Sequence, residues 1–393
     1  MPTMADVARS AGVSVATVSH VLNGTRPVLP HTRQAVLDAV EELGYTPNGP
    51  ARSLVTSRTR SIGLAVSALS NPYFTEILQG VERCALRHGY SLLVADPHDD
   101  PGHERRAVRL LHERRVDGVI VAPSAEPHAL LEYLTRHAVP TVFLDRLVRT
   151  GPETEVRTGP EAEVPTGPEA GAPTGAESAA DGRDGVRGGA PAAEPGDGVR
   201  PAPGFDQVCA DGTGPTARLV THLAALGHRR IGLVAGLPGL STTGERVTGY
   251  RHGLAAAGLP HDERLVAHGD STAEGAERAT GALLSLAAPP TALVTANNAM
   301  TIGTLRALRA RGLSVPGDIA LGCFDDFVWA DLFSPRLTAI AQPAEELGAQ
   351  AVRLLLDRLA HPGRPTRTVR LSCTFVHRTS CGCPERPEKG TDS

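Results

Sequence analysis

The chain has 393 residues, too many for one ordinary domain, and its 39 basic and 43 acidic residues leave a formal net charge of -4. No global field therefore draws it to nucleic acid, and any DNA contact must be local. The absence of an 18-residue apolar run excludes a helical membrane span, the first residues lack the basic head and apolar stretch of a secretory signal, and six scattered cysteines are no disulfide framework, so a cytoplasmic, multi-domain protein is expected.

Residues 1–60 have no strand character, and their helix-turn-helix pattern lies within 1–47. Thr3 and Asp6 have N-cap spacing for a first helix through about Ser10, and Ala11-Gly12-Val13 makes a tight turn. Ser14 caps a second helix, Val15 to Asn23. A third helix is predicted over about 31–43. Val7, Ala8, Val13, Val18, Val21 and Leu22, with Ala35, Val36, Val40 and Leu43 from the third helix, supply the apolar faces. This is a helix-turn-helix with a supporting helix, although a generic three-helix bundle reads the same way. In a helix-turn-helix the second helix enters the major groove. Val15, Ala16, Ser19 and His20 would then face outward, the first two suited to thymine methyls and His20 to a base edge. Thr17, Ser19, Asn23 and Thr32 are candidates for phosphate contacts that set register.

The stretch MADVARSAGVSVATVSHVLNGTRPV, followed by TRQAVLDAVEELGYTPNGPARSL, resembles the DNA-binding headpiece of the lac-repressor/galactose-repressor family. The resemblance implies a hinge helix within 48–60 that forms on DNA and wedges a leucine into a central C-G step of a near-palindromic operator. By position the wedge is Leu54, with Ala51 beside it and Asn48 at the start. The physics agrees: about eight residues fall short of the ~12–15 that a free helix needs in water, so ordering requires a second copy on DNA, and an apolar wedge unstacks a base step. Pro50, tolerated only in a first helical turn, places the start of that helix in question.

From residue 61 onward, short apolar runs alternate with helical patterns. The strand-like runs SIGLAVS, YSLLVAD, VDGVIVAP and VPTVFLD alternate with helices at about 72–88, 101–114 and 126–137. A second series, FDQVCAD, RIGLVAG, TALVTAN and DIALGCF, alternates with helices near 213–226, 243–257, 273–287 and 299–311. Such alternation means parallel sheets covered on both faces, so two doubly wound α/β lobes are expected over 61–382, with ligands outside the carboxyl ends of their strands. Between the series, residues 149–204 hold 21 Gly or Pro and an eight-residue repeat starting TGPETEVR, and read as a disordered insertion. The tail, 383–393, reads as loose.

This region is similar to the same family's core, which is shaped like a type I periplasmic sugar-binding protein; NPYFTEILQGVE, VPTVFLDR, LGHRRIGLVAG, ERVTGY, SVPGDIALGCFDD and LTAIAQP carry the resemblance, in the family's order. It implies an effector cleft lined by Tyr73, Phe74, Asp145, Arg246, Asn297, Asp325 and Gln342. Two bland readings stand beside it: core packing for Tyr73 and Phe74, and a buried Arg246–Asp325 pair that only holds strand ends. The family's Asp after Asn297 is here Asn298, and Ser271 stands where some members carry an aromatic ring, which leaves the floor incomplete unless Trp329 reaches in. Sugar is favoured over purine, because Leu240 occupies a position where a purine reader would need arginine.

The turn G-T-G-P-T-A at 212–217 imitates a dinucleotide fingerprint but lacks the acidic residue ending the next strand. Cys381-Gly382-Cys383 has only His377 at metal spacing, so no metal or other cofactor is expected. The expectation is a non-enzymatic, homodimeric DNA-binding repressor of carbohydrate genes, with a sugar-like effector and no membrane contact. The alternatives are a corepressor-dependent regulator with a non-sugar metabolite and a solute-binding transport protein.

Overall fold

The computed structural model describes residues 2–23, 26–45, 58–67, 71–148, 156–158 and 204–383. The chain divides into two compact units, residues 1–61 with 115–117, and the remainder. The proposed hinge positions Asn48, Pro50, Ala51 and Leu54 lie outside the described residues.

In the first unit α1 (Met4–Ser10), α2 (Val15–Asn23) and α3 (Pro30–Glu42) surround one small core. Thr3 and Asp6 form a reciprocal capping box on α1, and the Ser14 hydroxyl accepts from Thr17 N at 3.1 Å to start α2. Val7, Ala8, Val18 and Val36 are buried as the apolar pattern requires, but Ala39 and Tyr45 complete the core where Ala35 was expected. The reason is the 3.6-residue period, which sets Ala39 on the face of Val36 one turn on. At the end of the unit, the Asp117 carboxylate accepts from the N–H groups of Thr59 and Arg60 at 2.8 and 3.1 Å.

The second unit holds two sheets. The first comprises β1 (Ser61–Ala65), β2 (Ser91–Ala95), β3 (Gly118–Val121), β4 (Thr141–Leu144), β5 (Val156–Thr158), β6 (Asp206–Ala210) and β12 (Thr368–Leu371), ordered β2-β1-β3-β4-β6-β12-β5. The other comprises β7 (Ile231–Ala235), β8 (Val266–His268), β9 (Ala292–Thr295), β10 (Ala320–Phe324), β11 (Thr338–Ala341) and β13 (Thr374–Val376), ordered β13-β11-β10-β9-β7-β8. Only the β11–β13 pairing is antiparallel among those in register. The first lobe carries α4 (Pro72–Arg87), α5 (Pro101–Glu113), α6 (His128–Arg136) and α11 (Ala344–Ala360). The second carries α7 (Thr213–Ala225), α8 (Ser241–Ala256), α9 (Ala273–Leu284) and α10 (Asn298–Ala310). Helices α4 and α11 cross so closely that a Cβ on Gly80 would lie 2.1 Å from Glu345 O, and one on Gly348 2.3 Å from Ile77 O.

The expected split into two consecutive βα series is corrected here. FDQVCAD supplies β6, which pairs with β4 in the first sheet, and the chain crosses to the other lobe only at Asp211–Gly212. It returns at Gln342–Pro343 and crosses again between β12 and β13, three passages among the described residues. A five-residue apolar run fits a buried strand of either sheet, so local pattern could not assign it.

Three further expectations change. Within the segment read as disordered, Val156–Thr158 pair with β12 as a short parallel edge strand; backbone pairing to an open edge needs none of the apolar content on which that reading relied. Cys383, read as the start of a loose tail, packs against the core. The Cys381-Gly382-Cys383 segment, which seemed to have only His377 for company, is met by His222 of α7.

Candidate functional site

The exposed face of α2 and the carboxyl ends of the two sheets are the candidate sites. On α2, Val18 is fully buried and fixes the helix's rotation, leaving Val15 47% exposed and Ala16 exposed beside it. Ser19 and His20, expected outward, are half-buried on the flank. The Thr17 hydroxyl lies 2.9 Å from the Ser14 hydroxyl, so it serves the cap in this structure. Thr32 is half-buried in the first turn of α3; Asn23 ends α2, its side chain outside the described set.

In the core, a chain of side-chain contacts runs from lobe to lobe. The Tyr73 phenol donates to Asp145 Oδ1 at 2.6 Å and has Gln342 Oε1 at 3.3 Å. Gln342, on the second passage between lobes, donates through Nε2 to Asp325 Oδ1 at 2.6 Å. Arg246 of α8 places Nη2 3.8 Å from that same oxygen, donates to Ala296 O, and lays its guanidinium 3.9 Å over the Phe324 ring. Across the cleft, Asn298 Nδ2 donates to Asn71 Oδ1 at 2.8 Å, and Leu147 N donates to Ser241 Oγ at 2.7 Å.

Local structure explains these placements. Asn71 caps α4, accepting from Tyr73 N with Pro72 in the first turn, which aims Tyr73 back toward the strand ends. Asn297, expected to end its strand, instead caps α10, accepting from Met300 N at 2.7 Å and donating to Ser271 O at 3.2 Å. Asp145 and Asp325 follow β4 and β10 at matching positions, and both have a φ of 68°, left-handed backbone that is uncommon outside glycine. Around Asp145 the N–H of Arg146 closes on Leu144 O at 2.7 Å, a three-residue turn that directs the carboxylate outward from the strand. Such conformations gather at functional sites, where surrounding contacts hold them.

Burial sets the electrostatics. Desolvation raises the Asp325 carboxyl above its ordinary range, opposed by Arg246 and the Gln342 hydrogen bond. Desolvation and the Asp145 charge push the Tyr73 phenol well up, which keeps it a proton donor. Arg146, buried and paired with Asp99 and Asp145, holds the first lobe's carboxylates in place. At this site two of the buried side-chain polar atoms, Nε of Arg246 and Oδ1 of Asn298, have no hydrogen-bond partner within the protein.

The structure thus brings Tyr73, Asp145, Arg246, Asp325 and Gln342 together, with Asn297 supporting from the helix cap. Phe74 is buried in the core cluster, its ring 5.2 Å from that of Tyr73. Arg246 and Asp325 do form the buried pair, yet the pair leaves Arg246 Nε unmet. Trp329 is 56% exposed and does not fill the floor. Asn71, Arg146 and Phe324 were not singled out from sequence; the Asn-Pro step before α4 was a legible cap signal for the first.

The dinucleotide-like turn is filled by the protein's own acids. Gly212 N donates to Glu245 Oε2 at 3.0 Å, and Thr213 N and Gly214 N both reach Asp211 Oδ1. The amides that would cradle a phosphate are thereby occupied.

Comparison with known proteins places the geometry in context. A sequence profile described as "Bacterial regulatory proteins, lacI family" matches residues 3–48. One for "Periplasmic binding proteins and sugar binding domain of LacI family" matches 59–165, and one for a "Periplasmic binding protein-like domain" matches 220–381. The chain is 32% identical to the HTH-type transcriptional repressor PurR of Edwardsiella ictaluri, covering 97% of each chain. It is 31% identical to the PurR of Vibrio atlanticus, over 97% of this chain and 98% of that one. Among solved structures, the transcriptional regulator CelR–cellobiose complex is 29% identical with a TM-score of 0.65, over 97% of this chain and 100% of that chain. The lac repressor dimer bound to operator and the anti-inducer ONPF is 26% identical with a TM-score of 0.74, over 97% and 99%. No helix among the described residues is long and apolar enough to cross a membrane.

Proposed function

Because the chain belongs to the lacI family of bacterial regulatory proteins and is a DNA-binding transcriptional regulator with an effector-binding core, we propose that it is a cytoplasmic, homodimeric repressor of carbohydrate-metabolism genes released by a small sugar-like effector. The carrying observation is the pair of unmet buried atoms at the strand ends, Arg246 Nε and Asn298 Oδ1. One is a donor and the other an acceptor, and a hydroxyl can serve either. A polyhydroxyl ligand offers donors and acceptors of both kinds, and the Asp145 and Asp325 carboxylates can accept from further hydroxyls. The arginine over Phe324 favours the same class, since it covers the ring face on which a planar base would stack.

On this reading Val15, Ala16 and His20 read base edges, while Thr17, Ser19, Asn23 and Thr32 set register on phosphates. Asn48, Ala51 and Leu54 form the hinge of each protomer, with Leu54 wedged at the operator's central C-G step. Effector binding changes how the paired cores hold their hinges, which couples two distinct sites through a two-state core.

The test is a thermal-shift panel of mono- and disaccharides, with purine bases and nucleosides alongside, followed by operator release from an inverted-repeat fragment. Stabilisation by one saccharide, with release of the fragment, is expected; stabilisation by a purine alone overturns the sugar assignment. Leu54→Ala is expected to weaken operator binding without altering effector affinity, and unaltered operator binding rejects the wedge.

A further inference from the structure

We propose that His222, His377, Cys381 and Cys383 form a closed four-ligand site for a divalent zinc-class cation, which ties the carboxyl-terminal segment to α7. Their ligand atoms all lie within 4.8 Å of one another. His222 Nε2 is 3.3 Å from His377 Nε2, 3.4 Å from Cys381 Sγ and 3.6 Å from Cys383 Sγ. Zinc bonds of about 2.0–2.1 Å to nitrogen and about 2.3 Å to sulfur imply tetrahedral edges of about 3.4 Å between nitrogens and about 3.6 Å between nitrogen and sulfur. The three separations from His222 lie within about 0.2 Å of those edges, and the other pairs lie within 4.8 Å. Hydrogen bonding accounts for the arrangement less well, since one imidazole nitrogen carries one proton or one lone pair and here meets three heteroatoms. A cation among the four satisfies them all.

The scaffold fixes the ligands in advance. Fully buried Ser380 donates its hydroxyl to Leu321 O and accepts from Thr338 N, at 2.7 and 2.8 Å, which anchors the residue before Cys381. The Thr338 hydroxyl donates to Cys381 Sγ at 3.2 Å, an outer contact of the kind that orients a metal thiolate. Gly382, with a φ of +91°, turns the chain so that the Cys383 thiol returns to the same point; a side chain there would be strained. Two thiolates with two imidazoles suit zinc, and four protein ligands leave no open position, so the role is structural.

The experiment uses the full chain, reduced, stripped with a chelator and titrated with Co2+. Expected are the visible bands of four-coordinate Co2+ with thiolate charge transfer, bleached by one equivalent of Zn2+, and one zinc per chain in protein purified without chelator. Cys383→Ser is expected to weaken Zn2+ binding by at least about tenfold, and His222→Gln to abolish the four-coordinate spectrum while far-ultraviolet circular dichroism is retained. A six-coordinate spectrum, the absence of any Co2+ signal from the reduced parent protein, or a parent spectrum unchanged in His222→Gln overturns the proposal. So does a Cys381–Cys383 disulfide in freshly purified protein that persists with zinc supplied.

Discussion

Asn298 donates to Asn71 across the cleft at 2.8 Å while its own carbonyl oxygen is buried with no partner. The same amide thus closes the lobes and keeps an acceptor in reserve. Asn71 Oδ1 is already committed to Tyr73 N at 3.0 Å, so it cannot turn to offer a donor without uncapping α4. Asn298→Asp would set two oxygens against each other, and a loss of about 1–3 kcal/mol of stability is expected. Urea unfolding measures it; an unchanged midpoint would mean that the bridge contributes nothing.

Glu104 gives a pH prediction. Its carboxylate is buried on α5, accepting from Ser124 N at 2.6 Å and from Ser124 Oγ at 2.9 Å. Desolvation outweighs these bonds and Arg146, raising its pKa above the ordinary 4.5. A raised folded-state pKa means stability that is full below 4.5 and lost as pH rises through the folded value. Glu104→Gln keeps the shape and removes that loss. Its melting temperature should exceed the parent's at neutral pH, with the gap closing toward pH 4.5; a gap independent of pH would refute the assignment.

The α4–α11 crossing has no room for a methyl group. Gly80→Ala and Gly348→Ala each force a shift of helix backbone, at a cost of about 1–3 kcal/mol from overpacking. The two sites share one contact, so the double variant should lose less than the sum. Additive losses in a denaturant series would show that the two glycines do not report the same crossing.

Gln207 and Val148 exchange hydrogen bonds in both directions, at 2.7 and 3.1 Å. The two ends of the intervening segment are therefore held together at one place on the first lobe. Replacing 159–203 by a short Gly-Ser bridge should leave operator binding intact and the melting temperature within a few degrees, because closure entropy changes slowly with loop length. Removing 151–203 also deletes β5 and exposes the edge of β12, and the difference between the two deletions reads out that strand. A large drop in the shorter deletion would mean that the repeat packs.

Much of this was legible in the sequence. The caps at Thr3 and Ser14 and the strands from SIGLAVS to DIALGCF follow from hydrogen-bonding side chains and apolar runs whose effect is local. The cleft residues Tyr73, Asp145, Asp325 and Gln342 came from resemblance, and their mutual bonding could not be read from spacing. What stayed hidden was long-range. Nothing in FDQVCAD states which sheet it joins, and His222 is 155 residues from His377, the residue it meets. Arg146 escaped notice because an arginine after a strand is commonly solvated, and only its burial between Asp99 and Asp145 reveals its work.

The late position of β12 has a consequence for synthesis. The first lobe takes its β6 neighbour from Thr368–Leu371, and α11 covers it only after the second lobe has been made. While the ribosome is still translating the second lobe, the emerging first lobe carries an unpaired β6 edge and an uncovered apolar face. Premature termination before β12 therefore yields a sticky fragment rather than a smaller working protein.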